Sequence, residues 1–266
     1  MKWAFLRTVW LELQNLLGKQ LPWLVWTGFY LAVLAACFSP WLRESYLPTI
    51  WAESLLLMVL EFLQPYFLMA ALVVALLPVF AGREERGLRD TAIPCLLGKR
   101  GRDLAKILAA EGYALLLCLG FSGSAALLCG AGGGLGDLSA EVTVVGDVTL
   151  FPVWTVGEQA GFAILSLGAG CVLLTLAVLF ITARSRDVIT AAGTTAVLLL
   201  FEFLFHWFGF KPPLREINLW VFFRPYYFFL LELFPFSPVG NLLTLWGVLA
   251  AGGMTALMIL RGWKED

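Results

Sequence analysis

Four polar or ionisable side chains interrupt two apolar stretches of this 266-residue chain. Glu61 and Gln64 are three residues apart, and Glu202 and His206 are four apart, so each pair shares a face if its stretch is helical. Burying such groups in apolar surroundings is costly, which makes them functional candidates. Two interpretations stay open: the pairs line a path for a polar or cationic group, or they hydrogen-bond neighbouring segments, with His206 at the outer boundary.

A second group of chemically active residues lies at 81–103. The charged stretch 83–90 includes Glu84, Glu85, Arg86, Gly87 and Arg89, and Arg100 and Arg102 follow. Glu84 to Arg89 fits E-E-x-x-x-R, the first motif of membrane-embedded CAAX-type proteases, which also require histidines on other spans. His206 is the only histidine of the chain, so a protease is not indicated. From composition alone, the stretch is either a basic loop that sets orientation or a short helix that docks on a cytoplasmic partner.

Composition identifies the medium that surrounds these residues. Hydrophobic residues make up 60% of the chain and charged residues 14%, and the mean hydropathy is +0.85. A soluble domain of this size carries about a quarter charged residues and cannot hide so much apolar surface. The chain is therefore expected to be an integral membrane protein, and nucleic acid is not an expected partner.

Hydropathy predicts an all-α membrane protein with a single transmembrane domain, 1–266. A crossing needs about 20 mostly apolar residues. Six segments satisfy this requirement: 21–39, 55–80, 104–135, 159–182, 188–210 and 239–260. The Gly-rich end of the third segment, near Gly130–Gly136, is expected to bend or unwind, and its glycines lack the Lys and the spacing of a phosphate-binding loop.

The residues outside these segments have three distinct patterns. Residues 1–20 repeat Trp and Leu at helical spacing between polar residues, which favours an interfacial amphipathic helix, although a soluble helix packed on a partner has the same pattern. Residues 211–238 are aromatic but contain Arg224, which favours a re-entrant or interfacial pair of short helices over a seventh span. Residues 136–158 are acidic and are expected to form a surface loop.

Orientation follows from the distribution of Lys and Arg. Fourteen of the 18 lie at the termini, in the 81–106 region or at 184–186, and four lie on the other side. Both termini and the 81–103 loop are therefore expected to be cytoplasmic, in a multi-pass plasma-membrane protein that contacts lipid. Cysteines in apolar runs usually pack as small hydrophobes, and a Cys37–Cys129 disulfide near the outer surface is a minor alternative.

The loop and its surroundings resemble a known family, the permease subunits of ABC-2-type exporters. These permeases carry E-R-E-x-G-T-L between the second and third spans, then a Pro, a basic cluster and a Lys that opens the next span. The chain has Glu85-Arg86-Gly87-Leu88, Pro94, Lys99-Arg100-Gly101-Arg102 and Lys106; Leu88 replaces the usual Thr, and the first Glu is offset. Phe236-Ser237-Pro238, which opens the last span, is a second similarity.

The resemblance implies a half-transporter that pairs with a second, identical or homologous permease. Each 81–103 loop would dock on a cytoplasmic ABC ATPase subunit, which would bind ATP and Mg, while this chain binds no cofactor or metal and catalyses nothing itself. The aromatic external segment favours an amphipathic peptide, a lipid or a hydrophobic drug as cargo. Two alternatives remain: a non-transporting immunity, anchoring or assembly factor that recruits a partner, and a secondary transporter.

Overall fold

The computed structural model describes residues 2–38, 54–81, 98–132, 134–145, 148–207, 219–229 and 237–260. These residues are mostly helical, and five helices are long and apolar enough to cross a membrane. A sixth helix occupies the predicted fifth span, but its described apolar part, Val188–Glu202, is shorter than the others. The expectation of a helical membrane protein is thus confirmed, while the count of six spans stays a prediction.

The helices and strands follow one another in a simple order. They are α1 (Lys2–Leu17), α2 (Gln20–Phe38), α3 (Leu55–Met58), a π-helical turn (Val59–Leu63), α4 (Gln64–Leu76), α5 (Pro78–Ala81), α6 (Gly98–Ala131), β1 (Glu141–Val145), β2 (Val148–Thr155), α7 (Val156–Arg184), α8 (Val188–Trp207), α9 (Trp220–Phe223), a 3-10 helix (Pro225–Phe229) and α10 (Pro238–Leu260).

Helix α1 and its junction with α2 have the features of an interfacial element. The side chains of Trp3, Leu6 and Trp10 are exposed, whereas Leu16 is buried and Leu13 packs against the core. Helix α1 lies against α6. One side of its apolar stripe therefore meets protein, and the other is left for a medium that accepts tryptophan and leucine, as the headgroup layer does.

The second apolar segment is helical but irregular. Ser54 caps its first turn by accepting a hydrogen bond from the Leu57 N–H at 3.5 Å, and the π-helical turn follows directly. Pro65 then lies in the first turn of α4, which continues directly from the π-helical turn, so the missing N–H of this proline removes one backbone donor at the junction. Single π-helical turns are rare and are often found at functional sites.

The connection between α6 and α7 differs from the expected surface loop. Helix α6 ends at Ala131, and the chain then forms an antiparallel hairpin of β1 and β2, in which Val142 opposes Trp154 and a bulge lies between Val142 and Val144. The prediction of a loop was wrong because alternating Val and Thr at 142–145 have high β propensity. The hairpin is short and contains acidic residues, so an interpretation based on hydropathy predicted a loop.

Helix α7 is the centre of the bundle. Thr155 and Glu158 form a reciprocal capping box at its start, with Oε2 of Glu158 accepting the Thr155 N–H at 2.8 Å. Helix α7 contacts α4, α6, α8, α9 and α10, and it is the most buried of the candidate spans. By contrast, α2, α8 and α10 expose large apolar side chains such as Leu24, Val197 and Val248, as expected of helices that face lipid.

The described cysteines are reduced thiols. Cys37, Cys118, Cys129 and Cys171 are all buried and form no disulfide, so the alternative of a Cys37–Cys129 bridge was wrong. The thiol of Cys37 lies 3.7 Å from the Leu128 carbonyl oxygen, to which it can donate a weak hydrogen bond. These residues act as small apolar groups in the helix packing.

Gly170 gives a test of how tightly α9 packs on α7. A Cβ atom at this position would lie 2.9 Å from Cβ of Phe222 and 3.1 Å from Cε2 of Phe223. We expect Gly170→Ala to lower stability by about 1–3 kcal/mol, the usual cost of overpacking. Thermal unfolding of the detergent-solubilised protein measures this effect as a lower Tm.

Gly161 on the same helix is the matched control, because a Cβ atom there meets nothing within 4 Å. Alanine has the higher helix propensity, so Gly161→Ala should leave the Tm unchanged or raise it slightly. Equal Tm values for the two variants would contradict the close packing of α9 against α7.

Candidate functional site

A buried carboxylate–amide pair joins the π-helical turn to α7. The Gln159 side-chain nitrogen donates a hydrogen bond of 2.8 Å to Oε1 of Glu61, and both residues are 0% exposed. The π-helical turn carries Glu61, while Gln159 directly follows Glu158 of the α7 capping box. The regular capping of α7 and the irregular turn of its neighbour therefore set the geometry of this pair.

Gln64 forms a second buried pair, with a different helix. Its side-chain nitrogen donates to the hydroxyl of Ser122 on α6 at 2.7 Å, and Gln64 is 0% exposed. Glu61 and Gln64 thus bond to different neighbours, α7 and α6, although they are only three residues apart. We call Glu61, Gln64, Ser122 and Gln159 the buried polar cluster.

The buried polar cluster has hydrogen-bonding capacity to spare. Within the described residues, three of its buried acceptor atoms have no hydrogen-bond partner: Oε2 of Glu61, Oε1 of Gln64 and Oε1 of Gln159. Buried polar atoms are normally satisfied by protein or by ordered water. The cluster can therefore accept hydrogen bonds from water molecules or from a cationic group.

Arg224 brings a positive charge to the same region. Its guanidinium lies 4.4 Å from the centre of the Phe62 ring, and it donates a hydrogen bond of 2.9 Å to the Tyr66 hydroxyl. It also attracts the Glu61 carboxylate electrostatically. Contact with aromatic faces compensates part of the hydration that a guanidinium loses, which explains how Arg224 is accommodated beside apolar helices.

Tyr226, two residues later in the 3-10 helix, stays neutral in this environment. Burial and a hydrogen bond with Tyr227 raise the pKa of its phenol well above the ordinary value. The two rings are also in contact, with centroids 4.3 Å apart. Arg224 is therefore the charged residue among residues 219–229.

Glu202 has a separate role at the start of α9. Its Oε2 accepts a hydrogen bond of 3.0 Å from the Leu219 N–H, and the Trp220 N–H also bonds to this carboxylate. The first N–H groups of a helix have no intrahelical acceptor, so Glu202 acts as an N-terminal cap from another element. Glu202 is not part of the buried polar cluster.

Two further side chains hold the carbonyl groups of the same segment. The Ser166 hydroxyl donates to the Phe222 carbonyl at 2.8 Å, and the Asn241 amide donates to the Phe228 carbonyl at 3.4 Å. Helices α7, α8 and α10 thus supply one bond or more each to residues 219–229, which we call the anchored segment. Trp154 of the hairpin packs edge-on against Phe229, with ring centroids 5.0 Å apart.

Other predicted site residues lie partly or wholly outside the residues that the structure describes. His206 belongs to α8, but its side chain lies outside the described residues. Glu84, Glu85, Arg86, Gly87 and Arg89 also lie outside them. Of the predicted docking residues, Arg100 is exposed and Arg102 is half-buried, both in the first turn of α6.

Two lysines bond to carbonyls near the 81–103 loop, and one of them, Lys106, connects the elements on its two sides. Lys19 donates to the Ala75 carbonyl at 2.6 Å, and Lys106 donates to the Val79 carbonyl at 3.3 Å. Lysine near a helix C-terminus satisfies carbonyls that lack intrahelical donors and complements the helix dipole. These bonds join the α1–α2 junction, the end of α4, helix α5 and the start of α6.

Sequence reasoning missed several polar residues of the spans. Glu111 on α6 has no hydrogen-bond partner for either carboxylate oxygen within the described part of the chain. Glu111 is the only acidic residue of the 104–135 segment, so the sequence alone could have identified it as a candidate. Ser122, Gln159, Ser166 and Asn241 were also missed, because single neutral polar residues in apolar runs are common and do not reveal their partners.

Comparison with known family models, with curated proteins and with solved structures finds no significant match for this chain. Its class therefore follows from its own structure: a mostly helical membrane protein with apolar helices long enough to span a bilayer. Polar side chains inside the bundle connect its helices and fix the anchored segment.

The capping role of Glu202 can be tested with two substitutions. Glu202→Leu removes the acceptor for two backbone N–H groups, at about 1–3 kcal/mol for each buried donor left unsatisfied. We expect a clearly lower Tm in detergent and faster proteolysis within residues 219–229. Glu202→Gln keeps an acceptor oxygen and should preserve most of the stability.

The two variants separate capping from a charge-dependent role. A Tm for Glu202→Gln as low as that for Glu202→Leu would show that the negative charge is needed. Wild-type stability of Glu202→Leu would show that the bonds to α9 contribute nothing.

Proposed function

We propose that this chain is the transmembrane permease subunit of an ATP-driven exporter of the ABC-2 type. A second permease, identical or homologous, would complete the translocation path, and cytoplasmic ATPase subunits would bind ATP and Mg. The protein would lie in the plasma membrane with both termini and the 81–103 loop in the cytoplasm. This proposal rests on the sequence resemblance described above and on the physical arrangement of the described residues.

The observation that carries the proposal is the fixed base of the 81–103 loop. Because Lys19 and Lys106 bond to the carbonyls of Ala75 and Val79, a displacement of the loop is transmitted to three helices together. Lys106 also lies over the Phe80 ring, 5.6 Å from its centre. A loop that only sets orientation needs no such base, whereas a loop that transmits movement from a partner does.

The order of the elements supports the same proposal. An interfacial helix precedes the first span, the charged loop separates the second and third, and short helices of the anchored segment precede the last. The ABC-2 permeases that the sequence resembles have this layout. With no ATP-binding motif in the chain, the energy for uphill transport has to come from a partner.

The buried polar cluster is a candidate part of the translocation path. Its spare acceptors suit a cargo with a polar or cationic group, and Arg224 suits a cargo with an anionic group. The apolar surroundings suit the rest of an amphipathic peptide, lipid or hydrophobic drug. Movement of the anchored segment would open the cluster to the outer side.

A second candidate, a non-transporting membrane factor that recruits a cytoplasmic partner, is favoured by one observation. Glu61 and Glu202 are both engaged in bonds within the protomer, as expected of residues with a purely structural role. Such a factor needs no continuous polar path, so the double variant Glu61→Gln with Glu202→Gln should retain its function. An exporter that uses these residues should lose transport in this variant.

The decisive experiment is purification of the tagged full-length chain from its native membrane in mild detergent. We expect an ABC ATPase to copurify and the complex to hydrolyse ATP. In vesicles containing this complex, Glu85→Ala and Gly87→Pro should uncouple hydrolysis from transport while membrane insertion stays normal.

Glu141→Ala is the matched control, since this exposed carboxylate lies in the hairpin at the other end of the bundle. It should leave coupling intact. Normal coupling in both loop variants would contradict the docking role, and a stable complex without an ATPase would contradict the exporter.

A further inference from the structure

An apolar cavity of about 510 Å³ lies between α7, α8 and α10. Its walls include Leu176, Phe180, Leu198, Leu249 and Ala256. From Thr194 to Glu202, α8 lines it over about 12 Å, taking the helical rise of about 1.5 Å per residue. The cavity therefore has the shape and chemistry of a slot for a hydrocarbon chain.

The end of this slot at Glu202 is polar, but its polar groups are hydrogen-bonded. Glu202 and Leu219 both line it, and the Glu202 carboxylate accepts hydrogen bonds from the Leu219 and Trp220 N–H groups. Because these bonds hold the carboxylate against the anchored segment, the slot does not present an uncompensated charge to a hydrocarbon chain.

A second cavity, of about 450 Å³, continues the slot towards the turn between α7 and α8. The two cavities share Phe180, Ile181 and Thr194. The second is also lined by Arg184, Ser185, Arg186 and Thr190, and no carboxylate is among its described lining residues. The apolar slot thus leads directly to a group of guanidinium and hydroxyl groups.

Asp187, the residue after Arg186, has a capping role. The Asp187 oxygens accept hydrogen bonds from the Thr190 N–H at 2.8 Å and the Thr190 hydroxyl at 3.0 Å, which caps α8. The exposed Arg184 lies in the last turn of α7, so the mouth of the slot keeps a positive character. Arginine binds phosphate oxygens with two parallel hydrogen bonds.

We propose that this continuous groove binds one anionic phospholipid. The headgroup phosphate contacts Arg184 and Arg186, and an acyl chain fills the slot beside Leu176, Leu198 and Leu249. Basic pockets between membrane helices bind anionic lipids in this manner. The two arginines alone suit free phosphate equally well, but the apolar slot beneath them selects a lipid. This lipid site does not depend on the proposed exporter function.

Native mass spectrometry of the purified full-length chain tests the proposal. The protein is delipidated in mild detergent and titrated with phosphatidylglycerol or phosphatidylcholine of the same acyl chains. We expect phosphatidylglycerol to be retained preferentially, with one tightly bound molecule per protomer. Arg184→Gln should weaken its retention about fivefold, whereas Arg7→Gln, on the exposed face of α1, should leave it within twofold.

A second pair of variants tests the slot without altering charge. Ala256→Phe should fill the slot and weaken phosphatidylglycerol retention, while Ala251→Phe, exposed on the same helix outside the slot, should not. Equal retention of the two lipids would overturn the proposal, as would equal effects of Arg184→Gln and Arg7→Gln. Retention of glycerol phosphate as strong as that of phosphatidylglycerol would show a phosphate site instead of a lipid site.

Discussion

The structure depends on satisfying the polar backbone of the anchored segment beside apolar helices. Beside apolar helices, backbone that is not part of a long helix is tolerated only where other protein groups replace water. Glu202 accepts from the N–H groups at the start of the segment, and Ser166 and Asn241 donate to its carbonyls. Polar side chains of three different helices therefore bond to the backbone of these eleven residues.

Helix α7 connects this anchoring to the buried polar cluster. Gln159, Ser166 and Gly170 are spaced at i, i+7 and i+11, so they share one face of the helix. Gln159 bonds to Glu61, Ser166 bonds to the carbonyl of Phe222, and Gly170 allows the backbone of α7 to approach Phe222 closely. A shift of α7 would therefore change the polar cluster and the anchored segment together.

Hydropathy predicted where the chain leaves water but not how its helices face one another. The ends of α2, α3–α5 and α10 agree with the apolar runs within a few residues, since burial in lipid is a property of local composition. The bond of Glu61 to Gln159 joins residues that are 98 positions apart in the sequence. It depends on how their two helices are rotated about their axes, which no local pattern specifies. The hairpin at 141–155 was missed because short strands carry a weak signal, and Glu111 was missed although its position in an apolar run was visible.

Hydrogen–deuterium exchange of the purified chain in lipid nanodiscs tests the anchoring most directly. Peptides covering residues 219–229 should exchange as slowly as peptides from α7, because the segment's N–H groups are bonded: those of Leu219 and Trp220 to Glu202, and those of Phe222, Arg224 and Tyr227 to carbonyls within the segment. Complete exchange of these peptides within seconds, with α7 still protected, would show that the segment is open to water and that the bundle does not hold it.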